Sequence, residues 1–162
     1  MKLTTLLAIT VFLSPLLLAD EHHIDFDKKA DFGSFKTFVF IDGKTGSLRP
    51  EINSRLTLKA VGDAIRSELS SKGLKETQQD ADLAVTFSIT SIPLRGGTGP
   101  RASRGSPGFR GTFNIDVTKR STNELVWRGV YTDDESTAGK LAGKLPSDAK
   151  KLLSEYPPKK KN

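Results

Sequence analysis

Alternating apolar and polar positions predict a β-hairpin over residues 109–131, which is the most regular pattern in the chain. In the first arm, apolar residues alternate strictly with Thr, Asn and Asp. The second arm places Leu125, Trp127 and Tyr131 on one side. Asn123, in the polar turn between the arms, is predicted to adopt a left-handed conformation, because asparagine tolerates a positive φ.

The same reasoning predicts further strands and a long helix before the hairpin. Residues 35–41 and 82–92 are β-prone runs, and residues 24–26 form a shorter one. Over residues 51–72 the apolar period becomes helical, and Gly73 ends the pattern as a helix cap. The apolar positions of this helix are Ile52, Leu56, Val61, Ile65 and Leu69.

The end of the chain predicts a second helix that starts near Pro146 and reaches Tyr156. Residues 133–144 before it are a weaker helix candidate or an ordered loop. Since the strands carry one apolar and one polar face, the elements predict the α+β class. We expect one domain over residues 20–158: an antiparallel sheet of about four to five strands with one face packed by two helices.

The first 19 residues have the pattern of a signal peptide: a positive start, an apolar run and Ala19 as a small residue for cleavage. An uncleaved N-terminal anchor is the alternative. The chain has no cysteine, which excludes disulfides, thiolate metal sites and cysteine nucleophiles. Asp20 stands where a lipoprotein would carry its lipidated cysteine. We expect an exported protein, periplasmic or outer-membrane associated and not lipid-anchored.

Five short motifs, in this order along the chain, resemble those of the bacterial envelope proteins grouped as domain-of-unknown-function 4136. They are ADFGSFKTF at 30–38, LSSKGL at 69–74, DADLAV at 80–85, NELVWRG at 123–129 and KLLSEYPP at 151–158. The resemblance implies a small exported α+β protein with an antiparallel sheet, often lipid-anchored, and it implies no activity. This sequence lacks the family's lipid-bearing cysteine, and Asn123 replaces a common glycine. Trp127 would be the family's landmark aromatic residue, which we interpret as a core residue.

The formal net charge of +6 is concentrated in two segments that contain no acidic residue. Residues 94–111 are rich in glycine and proline and are predicted to be a flexible loop, and residues 159–162 are a basic tail. The basic residues are Arg95, Arg101, Arg104 and Arg110 in the loop, and Lys159, Lys160 and Lys161 in the tail. Because guanidinium groups grip phosphate in a forked geometry, this set is the candidate site for an anionic envelope component. A passive, solvated loop is the alternative.

A second hypothesis makes the protein a structural or assembly accessory that docks another envelope protein through its sheet. In that case the contact is the polar face or an edge of the sheet, and the arginine-bearing loop is passive. Under either hypothesis the partner itself is unknown, and we expect no nucleic-acid partner for an exported protein.

A metal site is the third hypothesis, and it depends on cleavage after Ala19. His22 would then be the third residue, whose imidazole can complete a square-planar Cu(II) or Ni(II) site with the free amine and two amides. Both histidines lie near this terminus and there is no cysteine, so no Ser-His-Asp or Cys-His arrangement can be assembled on a rigid scaffold. The acidic run 133–135 is predicted to be a solvated turn. We therefore expect a non-enzymatic protein without a cofactor.

Overall fold

The computed structural model describes residues 21–94 and 108–159, which form one sheet of seven strands and two α-helices. The elements are β1 (Glu21–Phe26), β2 (Thr37–Phe40), β3 (Lys44–Thr45), α1 (Arg55–Ser71), β4 (Lys75–Glu76), β5 (Leu83–Pro93), β6 (Phe109–Lys119), β7 (Glu124–Glu135) and α2 (Ala138–Leu153). The predicted signal peptide, residues 1–19, lies outside the described residues. Within them, neither helix has the length and apolar character needed to cross a membrane.

The sheet is mixed and larger than the sequence predicts. Its strand order is β1-β7-β6-β5-β2-β4, and β3 pairs with β5 beyond the end of β2. Strands β1, β7, β6 and β5 pair antiparallel, whereas β2 and β3 run parallel to β5, and β4 runs parallel to β2. The prediction of a purely antiparallel sheet with four to five strands is therefore wrong in both respects. Two-residue strands such as β3 and β4 carry no alternation signal, and α1 returns the chain so that β5 runs parallel to β2.

The hairpin is confirmed, but a β-bulge changes which residues of its second arm face the core. Val117 pairs with Trp127, and Thr118 pairs with Leu125, so Val126 has no opposite residue. As a result Val126 is buried and Leu125 is 43% exposed. Alternation along β7 alone predicts the opposite, because the bulge inverts the pattern at that point.

The predicted turn residue of the hairpin is confirmed: Asn123 has φ 57°. The end of the first helix is confirmed as well, because Gly73 has φ 87°, a conformation that glycine adopts without a Cβ penalty.

The start of α1 differs from the prediction by about one turn. Ser54 caps the helix, because its Oγ accepts a hydrogen bond of 3.0 Å from the Thr57 amide. Ile52 is buried, but it reaches the core from the turn before the helix. Leu56, which the helical period places on the core-facing side, is 80% exposed. It lies five residues before the buried Val61, which places it about 140° away around the helix.

The second helix begins before Pro146, inside the segment 133–144 for which the sequence predicts a weaker helix or an ordered loop, and it ends before Tyr156. It extends from Ala138 to Leu153, is capped by Thr137 and includes the proline in its interior. Leu141 and Leu145 on its inner face are buried in the core. The free energy gained by burying such residues exceeds the cost of the backbone hydrogen bond that a proline removes from a helix.

Two of the family-like motifs meet at the start of β2. The Asp82 carboxylate accepts hydrogen bonds from the backbone amides of Lys36, at 2.8 Å, and Thr37, at 2.9 Å, and from the Thr37 hydroxyl, at 3.0 Å. The Asp82 amide in turn donates to the Thr37 hydroxyl at 3.0 Å. These bonds join the segment before β2 to the start of β5 and hold the pKa of Asp82 below its usual range.

The last two motifs meet the first in an aromatic cluster under α2. The Trp127 ring, fully buried as predicted, lies edge-on to the Tyr156 ring, with centroids 5.7 Å apart. Tyr156 makes a second edge-on contact with Phe32 at 5.8 Å. Edge-to-face pairs of this kind add to the hydrophobic burial. The motifs that carry the family resemblance thus stabilise the fold.

Candidate interaction surfaces

The structure describes two of the seven predicted basic site residues. Arg110 lies in β6 rather than in the loop, and Lys159 follows α2 as an exposed residue. The other five lie outside the described residues: Arg95, Arg101, Arg104, Lys160 and Lys161. The two residues that flank segment 95–107 are described and lie side by side. The Leu94 amide donates a hydrogen bond of 2.8 Å to the Gly108 carbonyl. We call this end of the sheet the loop end.

Arg110 already has a carboxylate partner across the hairpin. Its Nε and one terminal nitrogen each lie 2.7 Å from an oxygen of Asp134, in a two-pronged pair between β6 and β7. Arg110 holds the pKa of Asp134 below its usual range, and Asp134 raises the pKa of Arg110. The forked surface of Arg110 that would bind phosphate is therefore occupied.

The acidic run after Trp127 is part of β7 and is paired, so the prediction of a turn there is wrong. Lys144 of α2 contacts Asp133 at 2.8 Å and also Glu135. Lys144 lowers the pKa of Glu135, and both carboxylates raise the pKa of Lys144. A carboxyl group that donates a proton near neutral pH needs a raised pKa. Glu135 and Asp134 have the opposite shift and are ionised.

Two exposed aliphatic side chains lie at the loop end. Leu48 is 97% exposed and Ile92 is 58% exposed. Ser47, beside Leu48, contacts Ser91 through their hydroxyl oxygens at 2.6 Å, which ties the two chain segments together. The sequence analysis missed these residues, because a loop leucine and a strand-end isoleucine have no periodic signal. Only their exposure distinguishes them from core residues.

A cation lies beside these aliphatic residues. The Arg49 guanidinium carbon is 4.6 Å from the centroid of the Phe109 ring, the first residue of β6 after the loop. The loop end thus presents aliphatic and basic groups together, next to acids that Arg110 and Lys144 already neutralise.

The two predicted basic segments leave from opposite ends of the sheet. Helix α2 runs from one end of the sheet toward the other. Leu141, near its start, lies against Gly111, and Leu152, near its end, lies against Gly129. Lys159 comes three residues after Tyr156, which packs on Trp127, and Trp127 pairs with Val117. Arg110 and Val117 are seven residues apart on one strand, which is about 23 Å. Arg110 and Lys159, the two described members of the predicted set, therefore lie near opposite ends of the sheet.

The sheet face opposite the helices is polar, as the alternation predicts. Thr90, Thr112 and Thr132 are direct neighbours across β5, β6 and β7. Two cross-strand contacts also lie on this face: Asn114 donates to Ser88 at 3.2 Å, and Arg128 forms a two-pronged pair with Asp116 at 2.6 and 2.7 Å. In the described ranges 21–94 and 108–159, both helices pack on the other face.

His22, the predicted metal ligand, lies in the edge strand β1 opposite Tyr131. Its Nε2 is 2.9 Å from a carboxylate oxygen of Glu155. Residues 21–94 and 108–159 contain no group of three or more potential metal ligands. The predicted copper site also uses Asp20 and the mature terminus, which lie outside these ranges, so it stays a prediction.

The fold and these surfaces can be compared with known proteins. The model of the family described as "Domain of unknown function (DUF4136)" matches residues 22–158. The chain belongs to this family. The match confirms the resemblance carried by the five motifs and attaches no activity to it. A search of curated proteins finds no match.

Solved structures share the fold at low identity. A PDZ-domain protein from Parabacteroides distasonis has 16% identity and a TM-score of 0.64, over 88% of this chain but only 36% of its own length. A DUF4136 family protein from Bacteroides thetaiotaomicron has 15% identity and a TM-score of 0.53, over 84% of this chain and 92% of its own. PelC from Paraburkholderia phytofirmans, a dodecamer in its crystal, has 13% identity and a TM-score of 0.50, with 85% and 94% coverage. These likenesses concern the fold alone.

Proposed function

We propose that this DUF4136 protein is a non-enzymatic, exported envelope protein that binds an anionic membrane surface through the loop end of its sheet. The observation that carries the proposal is the exposure of Leu48 and Ile92 beside the attachment of segment 95–107. That segment contributes Arg95, Arg101 and Arg104 and no acidic residue. Aliphatic side chains that enter the lipid interface, flanked by cations that meet headgroup phosphates, are a known basis of peripheral membrane binding.

The ion pair of Arg110 decides which arginines to replace in the test. Arg110 is paired with Asp134, so replacing it would break a cross-strand ion pair as well as remove a charge. The informative variant therefore replaces Arg95, Arg101 and Arg104 with serine and keeps Arg110. Each charge near an anionic membrane contributes about 1 kcal/mol. We expect the triple variant to bind phosphatidylglycerol vesicles about 100-fold more weakly than the wild type.

The assay is vesicle co-sedimentation at increasing salt, with phosphatidylcholine vesicles as the uncharged comparison. Leu48→Ser removes the most exposed aliphatic side chain of the loop end. Its matched control is Leu125→Ser, which removes a 43% exposed leucine from the turn end of the hairpin. Binding that falls with salt, and falls in the triple variant and in Leu48→Ser but not in Leu125→Ser, supports the proposal. Equal binding by all four proteins overturns it.

A second candidate function is favoured by the polar sheet face. In the described residues no helix covers that face. It carries a row of threonine hydroxyls, and its Arg128 and Asp116 pair with each other, so another envelope protein could dock there without leaving a charge unpaired. The test uses the lack of cysteine: Thr112→Cys on the face and Lys28→Cys in the turn after β1 each give a single thiol. Slower labelling of Cys at 112 alone, when native envelope vesicles are added at high salt, favours docking. Unchanged labelling at both positions rules it out.

A further inference from the structure

A groove of about 590 Å³ lies along one side of α1, separate from the loop end. Its helix wall includes Arg55, Leu58 and Lys59, which share one face of α1, and its opposite wall is the Asp42–Gly43 segment that follows β2. The buried rings of Phe40 and Phe87 lie beneath the groove, with centroids 6.1 Å apart, and the half-buried Leu58 is the apolar side chain that faces it. This volume is within the range of small-molecule and peptide sites.

Glycines set the shape of this groove. A Cβ at Gly43 would collide with the Phe87 ring, and a Cβ at Gly62 would lie 3.2 Å from the Phe40 ring. Glycine in the middle of a helix costs about 1 kcal/mol relative to alanine. At Gly62 the absence of a Cβ lets α1 lie close to the Phe40 ring, which is the reason a glycine occurs in the helix there.

Some of the charged groups that line the groove neutralise one another. Lys59 contacts Asp63 at 2.5 Å. Arg66 contacts Glu76 at 3.0 Å, and its guanidinium carbon lies 4.0 Å from the centroid of the Phe40 ring. The Lys59–Asp63 pair lies within α1, and the Arg66–Glu76 pair joins α1 to β4.

Three other lining groups are the exposed side chains of Asp42, Asn53 and Arg55, and within the described residues none of them has a hydrogen-bond or ion-pair partner. Asp42 and Arg55 have opposite charges and line the same groove, but they do not pair with each other. The groove therefore offers one free anion, one free cation and one amide beside the half-buried Leu58 side chain.

This set of groups narrows the class of ligand. A simple anion would leave Asp42 without a partner, and a simple cation would leave Arg55 without one. A sugar that stacks on an aromatic face has no exposed ring to use, because Phe40 and Phe87 are buried. A molecule with both an ammonium and a carboxylate, joined by an apolar body, complements all three features.

We infer that the groove along α1 binds short zwitterionic peptides. The Arg55 guanidinium receives the carboxylate, the Asp42 carboxylate receives the ammonium, and the Leu58 side chain contacts an apolar side chain of the peptide. Asn53 donates to or accepts from the peptide backbone between the two charged ends.

The test is calorimetric titration of the full mature protein with the dipeptide alanyl-leucine and two blocked forms. Acetylation removes the ammonium, and amidation removes the carboxylate. We expect each blocked form to bind at least tenfold more weakly than alanyl-leucine, because each loses a charge-assisted hydrogen bond. Asp42→Asn should weaken alanyl-leucine about tenfold without weakening the acetylated form further. Arg55→Gln should behave in the same way toward the amidated form.

Lys28→Gln, which removes an exposed charge outside the groove, is the matched control and should leave binding unchanged. All three substitutions are at exposed positions, and thermal unfolding checks that each variant folds. No heat of binding for alanyl-leucine at millimolar concentration overturns the inference, as does equal affinity for the free and blocked dipeptides. Vesicle binding is measured separately, so either proposal can fail without the other.

Discussion

Replacing Asp82 tests whether the hydrogen bonds between the start of β2 and the start of β5 hold the fold together. One carboxylate oxygen accepts three bonds, two from backbone amides and one from the Thr37 hydroxyl. A hydrogen bond to a charged group contributes about 1.5–3 kcal/mol, but water reaches the exposed Lys36 amide once the carboxylate is gone. We therefore expect Asp82→Ala to lower the free energy of unfolding by about 2–3 kcal/mol, and Asp82→Asn by about half as much.

The pH dependence of stability gives a second, independent prediction for Asp82. Its pKa in the folded protein is lowered, mainly by the backbone amides of Lys36 and Thr37, below the ordinary value of 3.8. A group with a depressed folded pKa stabilises the protein above its unfolded pKa, and that contribution disappears as the pH falls through the folded pKa. The difference in stability between wild type and Asp82→Asn should therefore be constant near pH 7 and shrink below about pH 4.

Urea denaturation followed by tryptophan fluorescence measures both effects, because Trp127 is the only tryptophan and is fully buried. Asp63→Asn is the control, since it removes a carboxylate from an exposed ion pair with Lys59, whose contribution is about 0–1 kcal/mol. If Asp82→Asn unfolds at the same urea concentration as Asp63→Asn, or if its deficit persists unchanged at pH 3, the reasoning about this carboxylate is refuted.

Two further predictions concern packing. Tyr156→Phe should leave the melting temperature unchanged or raise it, because the buried hydroxyl has no hydrogen-bond partner in the described residues and its burial raises the tyrosine pKa; a loss above about 1 kcal/mol would show an unrecognised partner. Gly111→Ala should destabilise the protein by about 1–3 kcal/mol, since its Cβ would lie 2.6 Å from the methyl groups of Leu141. Gly143→Ala, in open space on α2, should stabilise it by about 0.5–1 kcal/mol, so equal melting temperatures for the two alanine variants would contradict the packing argument.

Local chemistry made part of this fold predictable. The alternation in β5 and β6 predicts a sheet with one apolar and one polar face. In the structure, buried and partly exposed residues alternate along both strands in the same way. Asn123 and Gly73 occupy positive-φ positions that few other residues tolerate. The burial of Trp127 follows from its place on the apolar side of a strand. Each of these features depends on residues close together in the chain.

The structure corrects the predictions wherever distant residues decide the outcome. Strands β3 and β4 exist only because β5 and β2 lie beside them. Pro146 remains inside α2 because the helix buries Leu141 and Leu145 against the sheet. The candidate site changed for the same reason: a list of basic residues cannot show that Arg110 is paired, or that Lys159 leaves from the other end of the sheet.

The sequence by itself determined the family, the α+β class, the hairpin and the concentration of positive charge in two segments. It did so because motifs, periodicity and charge are properties of the chain that need no partner. Only the tertiary structure decided the mixed strand order, the pairing of Arg110 with Asp134, the exposure of Leu48 and Ile92 at one end of the sheet, and the groove along α1. Each of these depends on contacts between segments far apart in sequence, which the spacing of residues along one strand or helix does not encode.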